Sequence, residues 1–166
     1  MNTAHNGSVC SLSFTYDGLK LVSFGRDQRL RVWSTHTGRN NMINFGSIPN
    51  SSKKGIKIAT SSMTSPDVCF VPSDNRICVV NLETGEHIST LRGHYNLVNC
   101  CVFHSDTQDL FSGGNDHCIL TWTPHTDAVH AYSRHLSERS KPQHKQSNFT
   151  KRTAASNLDN WSSDED

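Results

Sequence analysis

The chain repeats itself at a fixed offset. His5 precedes Trp33 by 28 residues, and His94 precedes Trp122 by the same 28. Between the members of each pair the landmarks keep step without a gap: Val9/Val98, Leu12/Cys101, Phe14/Phe103, Leu21/Leu110, Ser23/Ser112, Asp27/Asp116 and Leu30/Ile119. Repetition on this scale marks an architecture in which one supersecondary unit cannot bury its apolar face alone and stacks on its neighbours.

The local pattern inside each unit is that of strands. Val9, Leu12 and Phe14 precede Asp17-Gly18; Leu19, Leu21 and Ser23 lead to Gly25-Arg26-Asp27; Leu30, Val32 and Trp33 run into Thr37-Gly38. Short β-prone runs separated by turn residues every ~8–12 positions predict an all-β fold. No stretch resembles the helical crossover of a parallel α/β sheet. A middle segment repeats the unit with fewer landmarks. Asp74, Ile77 and Val80 keep the Asp, Leu/Ile and Trp spacing, with Val80 at the Trp position, Phe70 at the Ser position and Ser52 at the His position. The Trp positions 33, 80 and 122 stand 47 and 42 residues apart, the length of a four-stranded blade.

The outer units resemble the WD-repeat family in their order of His, Ser, Asp and Trp. Gly93-His94 is the family's dipeptide, Ala4-His5 stands in its place in the first unit, and Ser34 and Thr123 replace the Asp after Trp. The resemblance implies a partial WD-repeat β-propeller of about three four-stranded antiparallel blades. Residues 1–123 carry it, in units of about 5–46, 54–92 and 93–123. No strand is expected after Trp122, so the last blade is predicted to be incomplete and the blades to form an open arc. The residue types agree with this reading. A Ser hydroxyl can bridge an indole N–H and an imidazole nitrogen, while Asp accepts from the other ring nitrogen and fixes the tautomer. His5, Ser23, Asp27 and Trp33, and His94, Ser112, Asp116 and Trp122, are the expected structural networks.

A narrower resemblance lies in TAHNGSVCSLSFTYDGLKLVSFGRDQRLRVWSTHTGRN, SSKKGIKI, LRGHYNLVNCCVFHSDTQDLFSGGNDHCILTW and the ending WSSDED. These segments are similar to the C-terminal part of the Cockayne syndrome group A family of WD-repeat proteins. That resemblance implies a non-catalytic interaction module related to the substrate receptor of a cullin–RING ubiquitin ligase in transcription-coupled nucleotide excision repair. It implies a nuclear protein whose partners are the ligase adaptor and transcription-coupled repair factors. Ligase-associated relatives dock through an Arg two places after the Trp-Asp pair. Trp33-Ser34-Thr35-His36 and Trp122-Thr123-Pro124-His125 both lack it. A second reading is a truncated isoform or fragment unable to form a working receptor, with a regulatory role or none.

Other functional classes find little support. Ser23 and Ser112 have His and Asp partners, but both repeat in register with Trp, as a structural network does and a catalytic triad does not. Ser112-Gly113-Gly114 is a turn rather than a phosphate loop, so neither an enzyme nor a cofactor is expected. The six cysteines form no C-x₂-C pair, and adjacent Cys100 and Cys101 point to opposite faces of a strand, so no metal site is predicted. Without an export signal they read as reduced thiols. A net charge of +1 supplies no field for nucleic acid, and no apolar run is long enough to span a bilayer.

Residues 124–166 contain six Lys/Arg and six Asp/Glu with almost no Val, Ile or Leu, and are expected to be a disordered polar tail. Its end offers Trp161 as an apolar anchor among acidic residues, or simply a solubilising terminus. Ser162 and Ser163 each precede an acidic residue by three places, a context for phosphorylation. Arg26, Arg29 and Arg31 form either a solvated face or a contact for an acidic protein surface or phosphate. Tyr95 is either an interface anchor or packs on the next blade.

Overall fold

A computed structural model describes residues 3–61, 65–124 and 149–153, the last as backbone. Three antiparallel sheets follow one another along the chain. The first contains β1 (Val9–Phe14), β2 (Lys20–Gly25) and β3 (Leu30–Ser34), in that order. The second contains β4 (Ala59–Thr60), β5 (Val68–Ser73), β6 (Arg76–Asn81) and β7 (His87–Arg92). The third contains β8 (Val98–His104), β9 (Asp109–Gly114), β10 (Ile119–Pro124) and β11 (Phe149–Thr153), β11 pairing with β10. Each sheet is a blade, and the three form an open arc of a partial propeller. No described helix is long and apolar enough to cross a membrane.

The strands differ from expectation in two places. The third blade is not incomplete: β11 supplies its outer strand from Phe149-Thr-Lys-Arg-Thr153, inside the segment read as a disordered tail. An outer strand is held largely by ladder hydrogen bonds along one edge, so it needs no run of apolar residues to announce it. The rest of that tail, including Trp161, Ser162 and Ser163, lies outside the described residues.

The first blade, expected to have four strands, has three. Its outer position is reduced to the Trp33–Asn40 bridge, made by two hydrogen bonds, from the Ser34 N–H to the Arg39 carbonyl and from the Asn41 N–H to the Val32 carbonyl. Met42 at φ 59° and Gly46 at φ 68° turn the chain out of the extended conformation there.

The core is two layers between blades. Val22, Phe24, Leu30 and Val32 of the first blade meet Cys69, Val71, Cys78 and Val80 of the second. On the other face of the second blade, Ala59, Phe70, Ile77 and Val79 meet Cys101, Leu110, Leu120 and Trp122 of the third. Strands in such an arrangement are buried on alternate faces, and the period of two sends Phe70 one way and Cys69 and Val71 the other. Phe70 stacks on Phe103 with ring centroids 5.5 Å apart and planes 18° apart.

The innermost strands join edge to edge. The Lys57 N–H donates to the Asn99 carbonyl at 2.9 Å, the Cys101 N–H returns to Lys57 at 2.9 Å, and the Ile58 N–H donates to Ser11 Oγ at 3.1 Å. Register within blades repeats as faithfully as the sequence does. A bulge falls between Val9 and Ser11 in the first blade and between Val98 and Cys100 in the third.

Candidate functional site

Each outer blade carries a continuous hydrogen-bonded chain running from a turn to the middle of the sheet. In the third blade, Trp122 Nε1–H donates to Ser112 Oγ at 2.8 Å, and Ser112 lies 2.8 Å from His94 Nε2. His94 Nδ1 lies 2.8 Å from Asp116 Oδ2. Indole only donates and carboxylate only accepts, so a neutral imidazole has one consistent proton order. Ser112 O–H donates to His94 Nε2, and His94 Nδ1–H donates to Asp116. The first blade repeats this with Trp33–Ser23 at 2.9 Å, Ser23–His5 at 2.7 Å and His5–Asp27 at 2.9 Å.

The carboxylates also organise backbone. The Tyr95 N–H donates to Asp116 Oδ2 at 3.0 Å, as the Asn6 N–H does to Asp27 Oδ2 at 3.0 Å. The Cys118 and Arg29 amides bond the other carboxylate oxygen at 3.2 and 3.3 Å. Each turn therefore passes through a left-handed residue, Gln28 at φ 59° and His117 at φ 62°. Burial alone would raise the Asp27 carboxyl, but hydrogen bonds from His5, the Asn6 amide and Arg31 outweigh it and hold the group well below the usual carboxylate range. Asp116 is lowered in the same way: burial is outweighed by the Tyr95 amide, His94 and the Cys118 amide.

Two participants escape a search for chemically active side chains. A Cβ on Gly25 would lie 2.7 Å from Asp27 Oδ1 and against His5 Nδ1. On Gly114 it would lie 2.9 Å from both Asp116 Oδ1 and His94 Nδ1. Glycine is required because the imidazole–carboxylate pair occupies the space a side chain would take. The signal was present, since the two glycines stand at equivalent places in the repeat.

The middle blade has no such chain. Pairing puts Val71, not Phe70, at the Ser position: Val71 faces Cys78 two residues before Val80, as Ser112 faces Leu120 two residues before Trp122. The β5–β6 connection is one residue shorter, and an offset counted along the chain misses that. Val71 and Val80 pack as apolar side chains, and Asp74 Oδ1 accepts from the Ser51 N–H at 2.8 Å.

The Ser–His–Asp geometry does not make a hydrolase. Ser112 is 2% exposed, and its oxygen already accepts from Trp122 while its proton is engaged by His94. No nucleophilic lone pair faces a substrate. Among the described residues no group of three His, Cys, Asp or Glu could hold a metal ion. Burial pushes the Cys69, Cys78 and Cys101 thiols up, which disfavours thiolate chemistry.

The proposed contact residues divide. Arg31 is drawn back onto the network, with Nη1 2.8 Å from Asp27 Oδ2 and 2.5 Å from His5 Nδ1. Asp27 thus faces both His5 and Arg31, whereas the third blade has Leu120 in place of Arg31. Arg26 is exposed and its Nη2 donates to the Lys53 carbonyl, and Arg29 is exposed beside it. Tyr95 is 87% exposed. Arg26, Arg29 and Tyr95 belong to the turns around Asp27 and Asp116, at the same end of their blades.

The family profile of the WD domain, G-beta repeat, matches residues 1–34 and 85–132. The chain is a WD-repeat protein. The matched stretches hold the two complete networks, and the unmatched interval contains most of the blade that lacks one. WD repeat-containing protein ATCSA-1 of Arabidopsis thaliana is 40% identical over 122 residues, covering 74% of this chain and 27% of the relative. Nuclear distribution protein PAC1-1 of Uncinocarpus reesii is 32% identical over 123 residues, covering 65% of this chain and 28% of the relative. This WD-repeat chain thus spans little more than a quarter of these two curated relatives. The solved structure of U3-55K superposes with a TM-score of 0.60 at 24% identity, over 73% of this chain and 37% of that one, a likeness of fold. The WD40 repeats of RRP9 match with the same TM-score of 0.60 at 22% identity.

Proposed function

We propose that the chain is a non-catalytic protein-interaction module of a nuclear ubiquitin-ligase substrate receptor acting in transcription-coupled nucleotide excision repair. The observation that carries this reading is the 40% identity over 122 residues to the plant relative named ATCSA-1. Residues 1–123, with the outer strand β11 that completes the third blade, are the interacting unit in this proposal.

The contact surface is the turn end that presents Arg26, Arg29 and Tyr95. An exposed tyrosine offers apolar area with a polar tip at little entropic cost, and guanidinium groups pair with carboxylates in a planar fork. The partner is therefore a protein with an acidic, partly apolar patch. The adaptor is not the partner expected here, because neither Trp33 nor Trp122 is followed by the docking Arg.

The test is recovery of named transcription-coupled repair factors from nuclear extract on the immobilised chain. Wild type should retain a repair factor, and Tyr95→Ala and Arg26→Glu should each lose it with thermal melts unchanged. Equal recovery by all three proteins, or no repair factor on wild type, would overturn the assignment.

A further inference from the structure

The outer edge of the first blade is closed at both ends and open in the middle. Along β3 the odd-numbered residues turn their backbone groups inward to β2: the Arg29 carbonyl accepts from the Gly25 N–H at 3.2 Å, and the Thr35 N–H donates to the Leu19 carbonyl at 3.0 Å. Antiparallel pairing sends the groups of the even-numbered residues to the other edge. There the Ser34 N–H and the Val32 carbonyl are taken by Arg39 and Asn41, and the Gln28 carbonyl accepts from the Ile48 N–H at 2.9 Å. Between these points the Val32 N–H and both backbone groups of Leu30 face outward with no described partner. Leu30 is only 3% exposed, so polar backbone is held here largely away from water.

Residues 42–46 bow away from this stretch, turned by Met42 and Gly46, and leave a cleft of about 250 Å³. Ile43 and Phe45 line it and share the apolar core with Leu30. Arg29 and Arg31 line it as well, and by the period of two their side chains leave β3 on the face opposite Leu30. Arg31 gives Nη1 to Asp27, yet its side chain remains 25% exposed. No Asp or Glu lines the cleft. Blades stack face on face, as the two core layers show, so a further blade against the first would leave this edge unfilled.

We propose that the opening takes an extended segment of a partner protein by strand addition, in the pattern acidic–apolar–acidic. The central residue pairs with Leu30, its N–H donating to the Leu30 carbonyl and its carbonyl accepting from the Leu30 N–H. The Val32 N–H donates to the carbonyl two residues earlier. The period of two then points the central side chain toward Ile43 and Phe45 and sets its neighbours beside Arg31 and Arg29, where opposite charges across a ladder are stabilising. Backbone bonds supply the affinity and the alternation supplies the specificity. The site shares Arg29 with the turn-end surface but uses neither Arg26 nor Tyr95, so it stands apart from that surface.

The probe is a fluorescein-labelled peptide Gly-Ser-Glu-Val-Glu-Ser-Gly with blocked termini, titrated with the full chain. Its anisotropy should rise and saturate. Methylating the valine nitrogen removes the proton meant for the Leu30 carbonyl while leaving every charge in place, and should weaken binding about tenfold. Arg29→Glu, a change at an exposed side chain, should weaken binding of the unmethylated peptide about tenfold or more. Tyr95→Ala should bind as wild type does. No saturable rise with wild type, a rise insensitive to either the methyl group or Arg29→Glu, or loss through Tyr95→Ala would each overturn the proposal.

Discussion

His94 and Asp116, separated by 22 residues of chain, meet with Nδ1 and Oδ2 2.8 Å apart, and both side chains are almost wholly buried. The contact fastens the entry of β8 to the β9–β10 turn. It also sets the imidazole tautomer, which lets Ser112 hold Trp122 in the core between blades. His5 and Asp27 do the same at 2.9 Å, but Trp33 beyond them is only half covered, since no described blade lies over it.

Removing the imidazole should cost stability through the groups it leaves behind. His94→Ala deprives Ser112 and Asp116 of a buried partner and is expected to destabilise by ~1–3 kcal/mol. Trp122→Phe should be more damaging than Trp33→Phe, because Trp122 is 2% exposed and packed between two blades. Urea melts check both expectations. An unchanged midpoint for His94→Ala, or equal losses for the two tryptophans, would contradict them.

Gly114→Ala should be poorly tolerated although the change adds a single carbon. The new Cβ would sit 2.9 Å from His94 Nδ1 and 3.0 Å from the Leu97 carbonyl, and the second is backbone that cannot swing aside. Overpacking of this kind costs ~1–3 kcal/mol. Gly55→Ala is the control: its Cβ would meet only the Cys10 carbonyl, at 3.6 Å. Thermal melting should separate the two variants clearly.

Acid should weaken the fold through Asp27 and Asp116. Both carboxyls are lowered in the folded state, so the unfolded chain binds protons more readily. Their contribution is complete above the unfolded carboxylate value of ~3.9 and is lost as pH falls below it toward the folded values. Urea midpoints of wild type should therefore drop between about pH 5 and pH 3. In a chain carrying Asp27→Asn and Asp116→Asn the drop should be shallower, from a lower starting midpoint. Parallel profiles would exclude these two groups as its source.

Much of this was legible along the chain. The His, Ser, Asp and Trp positions of the outer blades are spaced by local geometry, a strand, a turn and a strand, and so recur at one offset. The same counting failed at Phe70, because a turn one residue shorter moved Val71 into the Ser position. It also put Arg31 among the contact residues, whereas the fold turns that guanidinium onto Asp27.

Strand type, repeat length and the membership of each network were determined by sequence alone, because they depend on residues joined by short, stiff connections. The tertiary structure alone decided which copy of each repeated face is covered. Leu12 and Cys101 hold equivalent places, yet one is exposed and the other buried, since burial depends on the blade alongside. The outer strands were decided the same way. β11 pairs with β10 through backbone groups that any sequence carries, while the turn at Met42 withholds the same edge from the first blade. Hydrogen-bonded edges and apolar faces are completed by whatever packs against them, and that neighbour is not written in the residues that await it.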